Sequence, residues 1–573
     1  MNGSRGNRKG AARFDPRGAP VARDGDGEVL NTNVQPGLRE RLSATLLADA
    51  RGPTPFVLTI AGALTMLLAL PPNSCGLLAG VAMVPLLIAI VSATTMRRAF
   101  LCGWLFGTLL VALAIAWLEP AVQRFGEFPS WLSWALFALV VSQSGLTLGV
   151  FAALLIRVRR RFPVLPMAML APILLTTAEF IVPRPFDWNI GVTLASHPWI
   201  TQVADITGII GLSFLIAMVN GALFDAFAAK LRRRALPWWS LACTLTMIAA
   251  SLAYSQYRIA DIDSRRSLAP ALRIGAVQGN ISLSDGSDPD LAPRLLERYL
   301  RKSQQLVRRG AELVIWPETA FPYLHVMTPG AAQTEVTRVM RELGVPLLVG
   351  MVSEGSATPG TDFDLYNSVY LIAANGHIQG RYDKHRLFPV REYIPLGDYF
   401  PFLNEWFSPR YTAGAQRTVL PLGPHRIGPM ICYEDIQPGF VRDLAPLRPN
   451  LLVTLSNDSW FGADAAPQQH MALAVFRSIE MRLDMVRVST NGVTAIIDAA
   501  GRVTVQTRAV DPETLSGVQA FGLTGTVAML DGGHSFYARF GPIFAWLNLL
   551  AALALLVVPV VSRSTSSTPT ASV

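Results

Sequence analysis

The sequence predicts a multi-pass α-helical membrane protein of about eight spans, with one α/β domain inserted before the last span. Three features of the composition support this fold class. Of the 573 residues, 51% are hydrophobic and only 16% are charged, against about 25% charged in a typical soluble protein. The mean hydropathy of +0.36 requires several spans, because a single span of about 20 residues would be diluted in so long a chain. The 40 acidic and 49 basic residues require a polar domain as well, which argues against a pure transporter, a soluble enzyme or a disordered chain.

Eight apolar segments are candidate spans. The first two are short and only residues 72–74 separate them, so they form either one helical hairpin or a pair of tilted helices. We expect a membrane domain with seven spans over 55–256, an eighth span at 539–562, and disordered tails at 1–54 and 563–573. The segments are 55–71, 75–93, 99–118, 131–156, 162–182, 206–228, 237–255 and 540–561.

Basic residues in the loops predict the orientation, because cytoplasmic loops keep Lys and Arg and short translocated loops avoid them. One set of alternate loops carries ten bases, and the opposite set carries only Arg124 and Arg184. The basic tail 1–54 lies on the same side of the membrane as the loops with ten bases. Both tails are therefore expected in the cytoplasm, and residues 257–538 outside it. This distribution explains the net charge of +9 and removes the support for nucleic-acid binding. The ten bases are Arg97, Arg98, Arg157, Arg159, Arg160, Arg161, Lys230, Arg232, Arg233 and Arg234.

Residues 257–538 are predicted to form an α/β domain, because short β-rich runs alternate with helical patterns. Helices are expected at 331–344, where apolar residues recur at helical spacing, and at 467–483. Asn375-Gly376 lies between two apolar runs and predicts a hairpin turn. The predicted strands are 272–278, 313–316, 346–352, 369–373, 427–433, 451–455 and 493–497.

Three polar residues follow or end predicted strands of this domain: Glu318, Lys384 and Cys432. Each has an ordinary structural explanation, as a neighbour of a helix N-cap, a solvated hairpin charge and a buried packing residue. Together they supply what a cysteine nucleophile needs, which is a base to form the thiolate and a cation to hold the developing oxyanion. The combination therefore favours an enzyme.

The motifs WPET, YDKHRLFPVREYIP, ICYED and SNDSWFG occur in that order. This order resembles the nitrilase superfamily, and eight spans with such a domain before the last one resemble the apolipoprotein N-acyltransferase family. The resemblance covers about residues 55–561. It implies a nitrilase-like αββα sandwich that faces the periplasm, in a multi-pass protein of the bacterial inner membrane. It also implies the last step of lipoprotein maturation, in which an acyl chain passes from a phospholipid to the enzyme cysteine and then to the α-amino group of the diacylglyceryl-cysteine of an apolipoprotein.

The same resemblance implies roles for individual residues. Cys432 is expected to be the nucleophile, Glu318 the general base and Lys384 the group that stabilises the tetrahedral intermediate. The supporting residues that it implies are Glu392, Tyr433 and Glu434.

Two tryptophans, Trp188 and Trp460, match tryptophans that affect activity in the family. A core position or an anchor at the membrane interface is an equal alternative for both. The segment 399–407 contains six large apolar side chains without a helical or alternating period. It either folds into the core of the domain or forms a lid in the headgroup region, with Phe402 and Trp406 binding the phospholipid as it reaches Cys432.

The chain departs from the family pattern at three places. The proline and tryptophan that usually follow Ile281 are absent, Arg391 occupies the position of the glycine that usually precedes the second glutamate, and Leu483-Asp484 replaces arginine-proline. None of these departures changes the three expected catalytic residues. They leave open a diverged paralogue with another acyl acceptor.

Two further functions remain open. A membrane-tethered amidase or hydrolase would use the same three residues with water as the second substrate. A transporter or a non-catalytic scaffold would instead use polar residues within the spans, such as Glu179 and Asn220, but the intact set of Glu318, Lys384 and Cys432 argues against it. The seven histidines show no metal-ligand spacing and no nucleotide motif is present, so we expect no metal and no cofactor.

Overall fold

A computed structural model gives the arrangement of most of the chain. The tails predicted at 1–54 and 563–573 lie outside its described residues, apart from 52–54. The described residues are 52–73, 75–126, 129–281, 291–322, 331–355, 364–389, 391–393, 397, 399–400, 411–462, 465–510 and 519–558.

Apolar helices occupy all the segments that were predicted as spans. Three of them, α3, α5 and α7, are long and apolar enough to cross a membrane, and α1, α2, α6 and α12 are apolar but shorter. The predicted segment 237–255 is the first half of α8, and α4 is an additional short helix. The chain is therefore an integral membrane protein. The helices are α1 (Thr54–Ala69), α2 (Gly76–Ser92), α3 (Met96–Ala114), α4 (Leu118–Gly126), α5 (Ser130–Arg161), α6 (Met167–Ile181), α7 (Ile210–Leu231), α8 (Trp238–Leu268), and α12 (Ile543–Val557) near the C-terminal end.

The polar domain contains two six-stranded sheets, in the orders β12-β1-β2-β3-β4-β5 and β11-β10-β9-β8-β7-β6. All seven predicted strands correspond to strands of these sheets. The strands are β1 (Ala271–Gln278), β2 (Leu313–Ile315), β3 (Leu347–Gly355), β4 (Asp364–Ile372), β5 (Ile378–Asp383), β6 (Leu420–Leu422), β7 (His425–Ile431), β8 (Leu451–Ser456), β9 (Met485–Ser489), β10 (Ala495–Ile497), β11 (Val503–Gln506) and β12 (Phe521–Ala528).

Each sheet has three parallel strands at its centre, β1-β2-β3 in one and β7-β8-β9 in the other. Parallel neighbours need a crossover, which a helix normally provides. The longer crossover helices are α9 (Leu291–Arg308), α10 (Ala331–Leu343) and α11 (Ala465–Met481), and a short helix, Pro438–Arg442, joins β7 to β8.

The two faces of the first sheet pack against different layers. Val314 and Val349 belong to a core shared with helices α9 and α10, whereas Leu313 and Leu348 belong to a core shared with the second sheet and with α11. Because side chains alternate along a strand, this division produces a helix-sheet-sheet-helix sandwich. The carboxyl ends of the parallel strands are the edge at which such domains place functional groups.

Helix α8 joins the membrane region directly to the sandwich. It continues past residue 256, where the domain boundary was expected, to Leu268, and β1 begins at Ala271. Its 31 residues correspond to about 46 Å at 1.5 Å per residue, whereas the hydrocarbon core of a bilayer is about 30 Å thick. The last turns of α8 therefore extend into the polar domain.

Ion pairs tie this extension of α8 to the sandwich. Arg266 donates to Asp484 at 2.9 Å, and Asp484 is fully buried. The Asp484 carboxylate also accepts from the backbone N–H groups of Ala499 and Ala528, both at 2.9 Å. Asp484 thus provides the buried partner of a cation on α8.

Candidate active site

Cys432 lies at the sharp turn that ends β7. Its φ is +51°, in the left-handed region that costs an L-residue about 1–2 kcal/mol. A short 3-10 helix, Cys432–Ile436, follows immediately. Strained residues of this kind persist only where their surroundings hold them in place, so the contacts of the turn are informative.

Glu434 is the residue that holds this turn. Its side chain is fully buried, and one carboxylate oxygen accepts from the backbone N–H of Ile431 at 2.8 Å. The other oxygen accepts from Tyr382 Oη and from the backbone N–H groups of His385 and Arg386, at 2.7–2.9 Å. Burial raises the pKa of Glu434 to about 7 although these bonds oppose the rise. Glu434 therefore fastens the Cys432 turn to the loop that carries Lys384.

Glu318 lies just beyond β2, in a turn packed closely against β3. A Cβ at Gly350 would lie 2.4 Å from the carbonyl oxygen of Pro317, so only glycine allows this approach of the two backbones. One Glu318 oxygen accepts from the backbone N–H of Asn457 at 2.7 Å. The sheet and the loop after β8 thus hold the carboxylate from two sides.

Lys384 follows the last residue of β5 and is almost completely buried. Its Nζ lies 2.9 Å from Glu392 and 3.5 Å from Glu318. Burial alone would lower the pKa of Lys384, but the carboxylates of Glu392 and Glu318 raise it above its ordinary value. The ammonium group is therefore a permanent positive charge between the two carboxylates.

Asn367 on β4 joins the two carboxylates, and the sequence reasoning missed it. Its Nδ2 donates to Glu318 at 2.7 Å and to Glu392 at 3.0 Å, and the side chain is buried. A neutral amide can bridge two carboxylates without adding charge. The only signal in the sequence is one amide in an otherwise β-rich run, which is too common to single out.

A polar cavity of about 210 Å³ collects these groups, with Glu318, Lys384 and Cys432 all on its wall. Burial and then the charge of Glu318 raise the pKa of the Cys432 thiol well above its ordinary value, and Lys384 opposes the rise. Burial also raises the pKa of Glu318, which makes its carboxylate a stronger base. The cavity therefore contains a protonated thiol, a strengthened base and a fixed cation.

A second, apolar cavity of about 70 Å³ meets the first at Cys432. Its lining includes Ile115 and Trp117, which directly follow membrane helix α3, and Phe186 and Trp188 from the loop after α6. Ile115, Phe186 and Trp188 also line a deeper cavity between α3 and α5. Two mainly apolar cavities thus follow one another from the thiol towards the membrane region, and Glu179, Arg184 and Asn189 are among the residues that line the deeper one.

The other predicted site residues have varied surroundings. Tyr433 donates to the backbone carbonyl of Pro185 at 2.7 Å and thereby joins the Cys432 turn to the loop after α6. Trp188 lines both apolar cavities, and its Nε1 is buried without a hydrogen-bond partner among the described residues. Trp460 lies on a 3-10 turn next to Phe461, which lines the polar cavity. The side chain of Trp460 and the whole of Phe402 and Trp406 lie outside the described residues.

A buried charged network that the sequence reasoning also missed lies behind the site. His470 on α11 contacts Asp435 at 2.7 Å and Asp458 at 3.3 Å, and Arg487 on β9 pairs with Asp458 at 3.0 Å. Asp435 follows Glu434, and Asp458 follows the residue whose N–H holds Glu318. The network therefore joins the turn that carries Cys432 to the loop after β8, whose Asn457 N–H donates to Glu318. No group of three or more His, Cys, Asp or Glu residues in the described part of the chain is arranged to hold a metal ion.

Comparison with known proteins gives two family matches. The N-terminal domain of apolipoprotein N-acyltransferase matches residues 61–222, and the carbon-nitrogen hydrolase domain matches residues 273–519. Among solved structures, a carbon-nitrogen hydrolase from Helicobacter pylori G27 is similar, with a TM-score of 0.34 and 13% identity over 49% of this chain and 94% of that chain.

Full-length relatives match both regions together. An apolipoprotein N-acyltransferase of Shewanella oneidensis is 28% identical over 76% of this chain and 83% of the relative. An apolipoprotein N-acyltransferase of Geobacter metallireducens is 30% identical over 506 residues, which are 87% of this chain and 94% of the relative. A match of this extent covers the membrane helices and the sandwich alike, and the chain therefore belongs to the apolipoprotein N-acyltransferase family.

Proposed function

We propose that this protein transfers an acyl chain from a phospholipid, through a thioester on Cys432, to the α-amino group of the diacylglyceryl-cysteine of apolipoproteins. One observation carries the proposal. Cys432 lies where the polar cavity with Glu318 and Lys384 meets an apolar cavity that reaches the membrane helices. A lipid ester needs both environments at once, a polar one for the reacting carbonyl and an apolar one for the chain.

The first half-reaction forms the thioester. As the Cys432 sulfur attacks the ester carbonyl, Glu318 accepts the thiol proton, and the Lys384 ammonium stabilises the negative charge on the carbonyl oxygen. When the tetrahedral intermediate collapses, the ester C–O bond breaks, and Glu318 returns the proton to the leaving alkoxide of the lysophospholipid. The raised pKa of Glu318 suits a group that accepts and then releases a proton.

The second half-reaction uses the same groups in the opposite direction. The α-amino group of the acceptor attacks the thioester carbonyl, Glu318 takes a proton from the amine, and Lys384 again stabilises the oxyanion. The C–S bond then breaks, the amide is formed, and the proton returns to the Cys432 sulfur. No oxidation state changes in either half-reaction, so the scheme needs no redox cofactor.

The supporting residues have positioning roles in this scheme. Glu392 holds Lys384 in place by a hydrogen bond, and Asn367 does the same for Glu318. Glu434 fixes the position of the Cys432 turn by its bonds to the backbone. Trp188 lies on the wall that separates the two apolar cavities, where it would contact the acyl chain.

We also propose that the chain crosses the membrane eight times, with both tails in the cytoplasm and the sandwich in the periplasm. The ten-to-two distribution of bases among the loops supports this orientation. Helices α3, α5 and α7 account for three of the eight crossings. The shorter apolar helices α1, α2, α6 and α12 and the first half of α8 account for the other five. This location would give the site access to exported lipoproteins.

The alternative of a tethered hydrolase differs only in the second substrate. The polar cavity is large enough for water, so geometry alone does not separate the two functions. The two mainly apolar cavities favour transfer, because a lipid acceptor can enter by the same route that the lysophospholipid leaves.

The test follows the acyl group. The purified protein is mixed with a phosphatidylethanolamine that carries a labelled acyl chain, and the acyl-enzyme is detected by its mass. We expect a stable thioester that a diacylglyceryl-cysteine peptide removes and buffer alone does not, and no thioester in Cys432→Ala. Rapid loss in buffer would identify a hydrolase, and a labelled Cys432→Ala would refute the assigned nucleophile. Glu318→Gln and Lys384→Met are expected to slow thioester formation by about 10²–10³-fold.

A further inference from the structure

Arg391 lies between two cavities with different properties. Its side chain lines the polar cavity together with Lys384 and Cys432. It also lines a separate apolar cavity of about 140 Å³. A cationic group at this junction contacts whatever molecule extends from one cavity into the other.

The apolar cavity is bounded by the membrane region. Leu118 on α4 and Leu136 and Val140 on α5 form one wall, and Phe388 and Pro389, from the loop that carries Arg391, form part of another. These side chains leave space for a hydrocarbon chain and present few polar groups to it. The cavity is therefore suited to part of a lipid.

The start of α5 indicates the depth of this cavity. Trp131 and Trp134 lie in the first two turns of α5 and are 71% and 57% exposed, and exposed tryptophans of membrane proteins collect at the headgroup level. Leu136 is only two residues further along the helix. The cavity thus begins at the level of the headgroups, which places the guanidinium of Arg391 where a lipid phosphate lies.

Charge supports the same ligand. Among the described residues, the ion pairs of Glu318 and Glu392 are both with Lys384, so a second cation would be needed for the polar cavity to accept an anionic lipid. A guanidinium group is suited to a phosphate, because its planar N–H donors match two phosphate oxygens. In a glycerophospholipid the phosphate is only a few bonds from the acyl esters, so a residue that shares a cavity with Cys432 is within reach.

We propose that Arg391 binds the phosphate of the donor phospholipid and thereby selects phosphate-bearing lipids, while an acyl chain of that lipid lies between α4 and α5. This assignment rests on the proposed acyl transfer and extends it to the headgroup of the donor.

The experiment compares donors with and without a phosphate. Thioester formation is measured in detergent micelles with phosphatidylethanolamine, and with a diacylglycerol that has the same acyl chains. The quantity of interest is the ratio of kcat/KM for the two donors. We expect Arg391→Gln to lower this ratio by about 10- to 100-fold through KM, since one charged hydrogen-bonding group is lost, and Arg391→Lys to restore part of it.

Arg386→Gln is the matched control, because Arg386 lies on the same loop, is exposed and does not line the cavities. The control should keep the ratio of the unchanged protein. An unchanged ratio in Arg391→Gln, or an equal loss with both donors, would overturn the assignment of Arg391 but leave the acyl transfer intact. If the unchanged protein forms no thioester with either donor, the proposed function itself fails.

Discussion

Asn367→Leu is expected to slow thioester formation by about 10- to 100-fold. Leucine has the same branching and the same number of side-chain heavy atoms as asparagine but has no N–H group, so the substitution removes the bonds to Glu318 and Glu392 at 2.7 and 3.0 Å. A hydrogen bond to a charged group contributes about 1.5–3 kcal/mol, and about 1.4 kcal/mol corresponds to a tenfold change in rate. Because Glu392 keeps its bond to Lys384, we assign the loss of rate to the Glu318 bond alone.

The same substitution is expected to change the pH dependence in a defined direction. Burial raises the pKa of Glu318, and the hydrogen bond from Asn367 lowers it again. Without Asn367 the pKa rises further, so more of Glu318 is protonated at a given pH. Since a general base acts as the carboxylate, the acid limb of the pH–rate profile should move to higher pH, and the loss of rate should be greatest in acid.

The assay is a single turnover with a labelled phosphatidylethanolamine, in which the acyl-enzyme is quantified over a range of pH. Asn491→Leu is the matched control. Asn491 is buried and its side chain makes two bonds to the backbone of Ile281, at 2.8 and 2.9 Å, but it does not line the polar cavity. Asn491→Leu should lower the stability of the fold and keep the pH–rate profile of the unchanged protein. An acid limb in Asn367→Leu that coincides with the control would refute the bridging role.

Three further predictions concern the framework. Gly350→Ala should push the Glu318 turn out of place and destabilise the fold by about 1–3 kcal/mol. The control Gly439→Ala, whose Cβ meets open space, should leave thermal unfolding unchanged. Equal melting temperatures for the two variants would contradict this reasoning. Asn375→Cys at the exposed hairpin tip should react with an impermeant thiol reagent in intact cells, and Arg232→Cys only after permeabilisation, so labelling of position 232 without it would reverse the orientation. Arg266→Met should leave the buried carboxylate of Asp484 without its cation and lower the free energy of unfolding by about 3–5 kcal/mol. Chemical denaturation measures this loss. A free energy of unfolding equal to that of the unchanged protein would show that the pair does not stabilise the junction.

The membrane helices could be predicted from the sequence because twenty apolar residues in a row have few other structural solutions. The central strands were also predictable, since runs such as 451–455 and 427–433 consist mainly of apolar residues. The strands that were missed lack this signal. β6 and β11 are short edge strands, β9 contains the buried Arg487, and β12 has glycines at Gly522 and Gly525.

The candidate site also contains residues that could be predicted from the sequence and one that could not. Glu318, Lys384 and Cys432 were recognised because each interrupts or ends a strand within a motif. Asn367 was not, because its two partners are 49 and 25 residues away along the chain and nothing local marks the amide as their bridge. Contacts between distant loops depend on how the two sheets stack, and a residue pattern along one strand contains no information about that. The roles expected of Phe402 and Trp406 stay predictions.

Helix α8 has a mechanical consequence. It passes from the membrane region into the first strand of the sandwich with a gap of two residues, and Arg266 locks its far end to the second sheet. The sandwich therefore has no hinge at this connection about which it could tilt towards the lipid. The distance from the membrane midplane to Cys432 is therefore constant. In a thinner bilayer the headgroups lie further from the thiol, and in a thicker bilayer they lie closer to it. Bilayer thickness then becomes a physical variable that the reaction rate reports.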